Sequence, residues 1–380
     1  MAGIYFHVPF CKQACHYCDF HFSTSIKHKD EMLQCMVQEL KLQATYLSKK
    51  IDTIYFGGGT PSLLEASEIN LLIDEVAKYF DINPTHEITL EANPDDLDHK
   101  KIQLLKHTPI NRFSIGIQSF YEEDLKWMNR AHNAQEAESA IKRVQDIGFE
   151  NITADLIYGF PLLSDEKWLN NIHKLISLEI PHISAYGITI EPRTALAHHI
   201  KNGKQKAMDE EQSAQQFLLL MGVLADSSYE HYEISNFARP NCYAIHNTNY
   251  WKSQPYLGIG PSAHSFDGSR RQWNVSNNAK YMSSILKMHI PAEVEILTTT
   301  DKVNEYIMTS LRTMWGLDLN HLTQLYGSET SSAIAIRSKE FIEEKKIFVD
   351  NDRLKLTKEG KLIADFIAAE LFMDEEDRSK

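Results

Sequence analysis

The sequence predicts an α/β protein: a partial (β/α)6 barrel followed by a mostly helical, winged-helix-like C-terminal domain. Three observations carry this. Short apolar runs alternate with longer amphipathic runs six times over the first 190 residues, the pattern of parallel βαβ units. Cys11, Gly57, Glu91, Gln118 and Asp155 stand at or just past the ends of predicted strands, the face on which barrels carry their chemistry. Past residue 300, helices, a hairpin and a closing helix follow one another. A length of 380 residues allows two or three domains of about 150 residues each. The expected division is 1–190 for the barrel core, 191–290 for a barrel extension, and 291–380 for the C-terminal domain.

Residues 4–8 (IYFHV) read as the first strand. Residues 30–47 have helical spacing, with Leu33, Val37, Leu40, Ala44 and Leu47 on one face. Strands are then expected at 53–56, 87–91, 112–117, 152–157 and 182–190. Helices are expected at 65–80, from about 98, at 122–129, 135–148 and 166–178. Residues 209–225 predict a charged helix and 229–234 a strand. Residues 240–290, rich in Asn, Tyr, Trp, Ser and Gly, read as a long loop-rich segment. Helix resumes from residue 301; 347–349 and 354–356 form a hairpin about Asp350-Asn351-Asp352; one helix spans 358–372. The tail 374–380 is expected to fray.

Composition narrows the function. Hydrophobic residues make up 43% and charged residues 24%, which excludes disordered and collagen-like chains. A net charge of -13 argues against gripping nucleic acid through the overall field. No apolar run is long enough for a transmembrane helix, and the N-terminus lacks the pattern of a signal peptide. The expectation is a cytoplasmic protein. Five cysteines are too few, and odd in number, for a disulfide scaffold. Cys11, Cys15 and Cys18 crowd together, while Cys35 and Cys242 stand alone. Crowded thiols in a large chain point to a metal site in a reducing compartment. Cys35 reads as a buried small hydrophobe and Cys242 as an ordinary loop thiol.

Three thiolates on one short loop can hold three irons of a [4Fe–4S] cluster and leave the fourth iron open. The alternative is zinc held by the same cysteines with His16 or His21. A strand directly before the loop, Tyr17 before the last cysteine, and Gly57-Gly58-Gly59-Thr60-Pro61 after the next strand favour iron–sulfur. Glycines let backbone approach a ligand and leave amides and carbonyls for polar contacts. Glu91, Gln118 and Asp155 at strand ends, with Arg130 just beyond, converge on one face. Singly, each reads as a helix cap.

The CxxxCxxC spacing with Tyr17 resembles the radical S-adenosylmethionine (SAM) superfamily. Tyr5-Phe6-His7-Val8-Pro9-Phe10-Cys11 is similar to its oxygen-independent coproporphyrinogen III oxidase-like branch. The resemblance covers nearly the whole chain. It implies a TIM-like radical SAM barrel, a HemN-type C-terminal domain, a [4Fe–4S] cluster on Cys11, Cys15 and Cys18, and SAM at the open iron. It carries SAM contacts over to Tyr5, Tyr17, Gly58, Gly59, Thr60, Glu91, Gln118, Arg130 and Asp155. Arg130 would take the SAM carboxylate, and Glu91 and Asp155 its ribose or amino group. His264, in another motif of the branch, would close the same site.

Two departures bear on the branch. Its oxidases carry a further cysteine two positions after the cluster motif, where this sequence has Phe20. They also carry an N-terminal extension, whereas the first cluster cysteine is residue 11. His246-Asn247-Thr248-Asn249-Tyr250-Trp251 resembles the HNxxYW motif of the heme-chaperone (HemW) members. Imidazole is a common axial haem ligand, and Tyr250 and Trp251 offer flat faces to a macrocycle. On its own the motif reads as a polar turn followed by two core aromatics. The resemblance implies a heme chaperone with haem as cargo, handing it to an acceptor; a membrane-bound acceptor would fit the family. The alternative it leaves open is a coproporphyrinogen III dehydrogenase-type oxidoreductase acting on a porphyrin precursor. Nucleic acid is not expected as a partner, and the chain is expected as a monomer or homodimer.

Overall fold

The computed structural model describes residues 1–374; the expectation of a frayed tail falls largely outside them. The first half runs β1 (Gly3–Val8), α1 (Lys29–Leu42), β2 (Ile51–Gly58), α2 (Ala66–Tyr79), β3 (Ile82–Ala92) and α3 (His99–Leu105). It continues with β4 (Arg112–Gln118), α4 (Glu122–Trp127), α5 (Ala134–Asp146), β5 (Ile152–Tyr158), α6 (Asp165–Ser177) and β6 (His182–Gly187). Each of these strands pairs in parallel with the next. Helix starts are set locally. Asp98 and Ser164 accept from backbone amides of the first turn, and capping boxes close the starts of α2 and α5.

The alternation along these strands is inverted relative to a barrel with an apolar interior. Residues such as Phe6, Phe56, Leu90, Ile115, Leu156 and Ile183 are fully buried in the layer shared with the helices. Their neighbours Tyr5, Tyr55, Glu91, Gly116, Asp155 and Tyr186 line cavities inside the arc. The lumen is therefore polar, and the fold's main apolar core lies between strands and helices.

The chain continues through α7 (Ala195–Lys201), α8 (Glu210–Asp226), β7 (Glu230–Glu233), β8 (Asn236–Ala238) and α9 (Ile245–Trp251). Then come β9 (Tyr256–Ile259), β10 (His264–Phe266), β11 (Arg270–Asn274), α10 (Asn278–Ile285) and β12 (Ala292–Ile296). These strands extend the sheet to twelve among the described residues, in the order β12-β11-β10-β9-β1-β2-β3-β4-β5-β6-β8-β7. β1 and β6 do not pair, so the six-stranded arc stays open on one side.

Four expectations need correction. Residues 240–290 are not loop-rich: they hold two helices and three strands. Their Asn and Ser residues serve short elements; Asn277 caps α10 and Asp267 closes the β10–β11 turn. α1 stops at Leu42, five residues short of the expected Leu47, and Tyr46 turns back onto the Gln43 carbonyl at 2.9 Å. Leu47 is buried all the same, so the apolar spacing registered burial of a turn. β6 ends at Gly187, short of the expected 190, where alternation gives way to the exposed Ile190. The last helix is two, broken at Ile363, whose φ of -125 is not helical.

From Thr299 the chain builds a second core. It comprises α11 (Thr299–Leu311), β13 (Leu317–Asp318), α12 (Leu319–Tyr326), α13 (Ser328–Arg337) and α14 (Lys339–Glu343). β14 (Ile347–Asp350), β15 (Arg353–Leu356), α15 (Lys358–Lys361) and α16 (Ala364–Glu370) complete it. Asn351 and Asp352, both at positive φ, make the two-residue turn of the β14–β15 hairpin, as expected. Val303, Ile307, Leu322, Ile334, Leu354 and Ile367 pack in this core. It meets the barrel where the Ile234 amide bonds the Arg312 carbonyl at 3.0 Å and the Met314 amide bonds the Tyr232 carbonyl at 3.0 Å.

One buried carboxylate ties the extension to the barrel. Glu39 of α1 is fully buried. It accepts from the Gly260 amide (2.8 Å), the Tyr281 hydroxyl (2.6 Å) and the Asn274 amide nitrogen (2.6 Å). Burial holds its pKa above the usual carboxylate range, against the pull of those donors. Replacing it with Ala strands three buried donors on three elements. We expect Glu39→Ala to lower unfolding free energy by about 3 kcal/mol, read by urea denaturation. Because the folded pKa is raised, the native state binds more protons, and the group's contribution falls as pH rises through its folded pKa. Glu39→Gln should flatten that part of the stability–pH curve; an unchanged slope would contradict the assignment.

Candidate functional site

The cysteine loop leaves β1 and is pinned at its base. The Cys11 amide bonds the Ser23 carbonyl at 3.0 Å and the Ser23 amide bonds the Pro9 carbonyl at 2.9 Å. Cys11, Cys15 and Cys18 line one cavity of about 460 Å³. Burial raises the Cys11 thiol, which Thr60 partly offsets, and raises the Cys18 thiol to about 12. The zinc alternative would take its fourth ligand from His16 or His21, each of which has one ring nitrogen paired and one left over. His16 Nδ1 pairs with the Trp127 carbonyl at 2.9 Å, and His21 Nε2 with Asn278 Oδ1 at 2.7 Å. Among the described residues no three His, Cys, Asp or Glu side chains are arranged to hold a single ion.

Gly58, Gly59 and Thr60 border the same cavity, but not in the way the glycine reading anticipates. The Gly59 amide bonds the Val8 carbonyl (2.9 Å) and the Thr60 amide bonds the Phe10 carbonyl (2.7 Å). These two amides extend the β1–β2 pairing and are not free for a ligand. The glycines serve close approach: a Cβ on Gly59 would lie 2.6 Å from the Phe10 oxygen. Gly58 has φ +102, open to glycine and few other residues.

Glu91, Gln118, Arg130 and Asp155 meet in this cavity. Arg130 is largely engaged by the protein: Nη2 donates to Asn93 Oδ1 (2.7 Å) and the Gly116 carbonyl (2.9 Å), and Nη1 to Cys15 Sγ (3.4 Å), while its buried Nε has no partner. Asp155 lies mid-strand, not at a strand end, and so projects into the lumen. Burial raises Glu91 to about 7 and Asp155 to about 6. Tyr55 donates to Glu91 at 2.7 Å. Neither carboxylate has a salt-bridge partner among the described residues. Gln118 takes φ 65, and its buried Oε1 has no partner. A strained residue with an orphaned acceptor beside a cavity is a mark of a binding site.

A second, larger cavity of about 820 Å³ lies across the open side of the arc. Tyr5 and His264 border it, not the cysteine cavity, so His264 does not close the smaller site as expected. His246, Asn247, Tyr250 and Trp251 border it too. The motif is a helix, α9, and not a polar turn. His246 Nδ1 lies 2.8 Å from Thr53 Oγ1. Burial, and then Arg112, lower its pKa to about 3, so the imidazole is neutral. Phe20 and Tyr186 border both cavities, and Phe20 is 67% exposed although large and apolar. Thr53, Glu87, Arg112, Arg271 and Arg312 were not anticipated. Polar residues at every second position of β3 (Glu87, Thr89, Glu91) and β4 (Arg112, Ser114) are the signal for a polar lumen.

Comparison with known proteins now bears on this geometry. The sequence profile of the Radical SAM superfamily matches residues 5–175, and that of the HemN C-terminal domain matches 297–363. "Heme chaperone HemW" of Bacillus subtilis (strain 168) is 30% identical over 369 residues, covering 96% of this chain and 97% of that protein. The protein of the same name from Mycobacterium tuberculosis (strain H37Rv) is 32% identical, covering 97% and 94%. The solved structure of coproporphyrinogen III oxidase (HemN) from Escherichia coli superposes with a TM-score of 0.85 at 22% identity, covering 98% of this chain and 90% of that one. The last likeness shows the fold.

The glycine turn generates a test. Gly59→Ala drives a methyl into the Phe10 and Val8 carbonyls, which cannot yield without parting β1 from β2. A loss of about 2 kcal/mol of stability is expected, measured by urea denaturation. A variant as stable as the wild type would show that the turn has slack.

Proposed function

Because the chain belongs to the radical SAM superfamily, in the branch of the HemW heme chaperones, we propose that it binds haem in the larger cavity and passes it to an acceptor protein. The superfamily implies a [4Fe–4S] cluster and SAM, and the residues of the smaller cavity fit both. Three thiols face one space without a fourth protein ligand, which suits a cluster with one open iron. Two half-buried carboxylates on the cavity wall, neither in a salt bridge among the described residues, suit a ligand carrying a sulfonium and an ammonium. The orphaned Gln118 oxygen adds an acceptor. When bound, the cluster and SAM supply one-electron chemistry; the chain's own residues orient them and exclude water.

In this assignment Cys11, Cys15 and Cys18 hold the cluster, with Tyr17 beside it. Gly58, Gly59 and Thr60 shape the SAM site, and Glu91, Gln118 and Asp155 bind polar and charged groups of SAM. Arg130 steadies Cys15 and Asn93, and its unpartnered Nε is the donor it has left for the SAM carboxylate. Haem is cargo. His246 offers a neutral imidazole to its iron, and Tyr250 and Trp251 offer aromatic surface. The observation that carries the reading is this half-buried neutral histidine on the wall of an 820 Å³ cavity in a chain of this branch. Thiol ligands to iron suit a reducing compartment, so we assign the protein to the cytoplasm, with a membrane-bound acceptor as the fitting recipient. No described helix is long and apolar enough to cross a membrane.

Anaerobic titration of the reconstituted protein with haemin tests the reading. Saturable binding is expected for the wild type, and a changed Soret spectrum with weaker binding for His246→Ala. No saturation in the wild type would refute it. SAM binding should depend on pH. Below about 7 and 6, Glu91 and Asp155 are neutral, and a cationic ligand must then expel protons to bind. SAM affinity should therefore rise between pH 6 and 8, and Glu91→Gln should weaken that rise. Equilibrium dialysis at several pH values reads the effect; equal slopes in both proteins would remove Glu91 from the site.

A further inference from the structure

The floor of the lumen holds polar groups that packing alone does not require. Thr53, Glu87, Arg112, Thr153 and His182 come from five consecutive strands and are all buried. Arg112 Nε lies 3.7 Å from Glu87 Oε2, and its fork donates to Thr153 Oγ1. Thr153 Oγ1 is 3.1 Å from His182 Nδ1, and His182 Nε2 is 2.7 Å from the Tyr232 hydroxyl. An ion pair buried to this degree is weak evidence for stability, because desolvation offsets most of its attraction.

The free side of Glu87 shows what this chain of contacts does. Its Oε2 accepts from the Ile245 amide at 2.9 Å and its Oε1 from the His246 amide at 3.0 Å. These are the first two residues of α9. The residue before them, Ala244, has no side-chain cap to give, so a carboxylate from β3 does this work. Thr53 holds the ring itself, at 2.8 Å from Nδ1. Gly3 leaves it room: a Cβ there would stand 3.1 Å from His246 Cε1. Backbone and ring of His246 are thus fixed from three strands.

We propose that Thr53 and Glu87 are positioning residues that present Nε2 of His246 to the iron of bound haem. The proposal rests on the haem reading above and adds how the ligand is held. With Nδ1 facing Thr53, Nε2 is the nitrogen left for a metal. Iron at Nε2 requires the proton on Nδ1, and that N–H requires an acceptor. Thr53 Oγ1 is the acceptor. Glu87, anchored by Arg112, sets where the ring enters the cavity.

The test compares haemin titrations of wild type, Thr53→Val, Thr53→Ser and Glu87→Gln, each reconstituted with its cluster. Valine keeps the shape of threonine and removes the acceptor. Thr53→Val should bind haem about 10- to 100-fold more weakly, with altered Soret and electron paramagnetic resonance spectra. Its iron content and SAM binding should match the wild type, and it should unfold cooperatively at a temperature lowered by no more than the loss of one hydrogen bond allows. Thr53→Ser should restore affinity and spectrum. Glu87→Gln, which retains one carbonyl acceptor for two amides, should also weaken binding. A Thr53→Val protein with wild-type affinity and spectrum overturns the proposal, as does a Thr53→Ser protein as impaired as Thr53→Val. If the wild type does not saturate, or His246→Ala keeps the wild-type spectrum, the haem reading itself falls and takes the proposal with it.

Discussion

A polar lumen is the constraint on which this structure depends. The six parallel strands turn their apolar residues toward the helices and their polar residues inward. Every inward group then needs a partner, because an unpaired polar atom in such a space costs about 1–3 kcal/mol. At the floor the partners are internal: Glu87 with Arg112, Thr153 with His182, and His182 with Tyr232. Higher up the internal partners run short. Gln118 Oε1 has none, and among the described residues Glu91 and Asp155 form no salt bridge, although Arg112 and Arg130 act on Asp155 from a distance. The orphaned Gln118 oxygen beside the smaller cavity marks where a ligand belongs.

The open arc divides this lumen in two. Because β1 and β6 do not pair, one side of the barrel has no strand to close it. α9 and the strands after it border that gap and create the larger cavity, while the cysteine loop and the glycine turn create the smaller one. Gly58, Glu91, Phe20 and Tyr186 belong to both walls. An exposed phenylalanine at this junction is costly to leave in water, and a flat apolar ligand in the larger cavity would cover it. The two sites share side chains and are not independent compartments.

The extension that forms the larger cavity has few stabilising features of its own. Its strands are short, between three and five residues for β9 to β12. Glu39 compensates by binding three of its segments from α1. At the other end Arg312 reaches Glu233 at 3.4 Å and lies over the Trp251 ring, linking the second core to β7 and to the HNxxYW helix. The position of α9 therefore depends on contacts from β3, from the barrel floor and from the C-terminal core.

Local pattern was enough for much of this protein. The period of the apolar residues marked the strands of the arc, because each is long enough to show alternation. The cysteine spacing, Tyr17 and the glycine triplet are contiguous, so their chemistry is legible without a fold. The hairpin at 347–356 was legible because Asn351 and Asp352 accept positive φ. Strands of three to five residues and helices of seven and eight residues in 240–290 left too few periods to read. Tertiary structure alone decided that His246 enters the lumen, that Arg130 turns onto Cys15, and that His264 faces the larger cavity. The physical reason is separation along the chain. Glu87 and His246, or Glu39 and Gly260, meet across some 160 to 220 residues, and nothing in either local sequence encodes the partner that burial supplies.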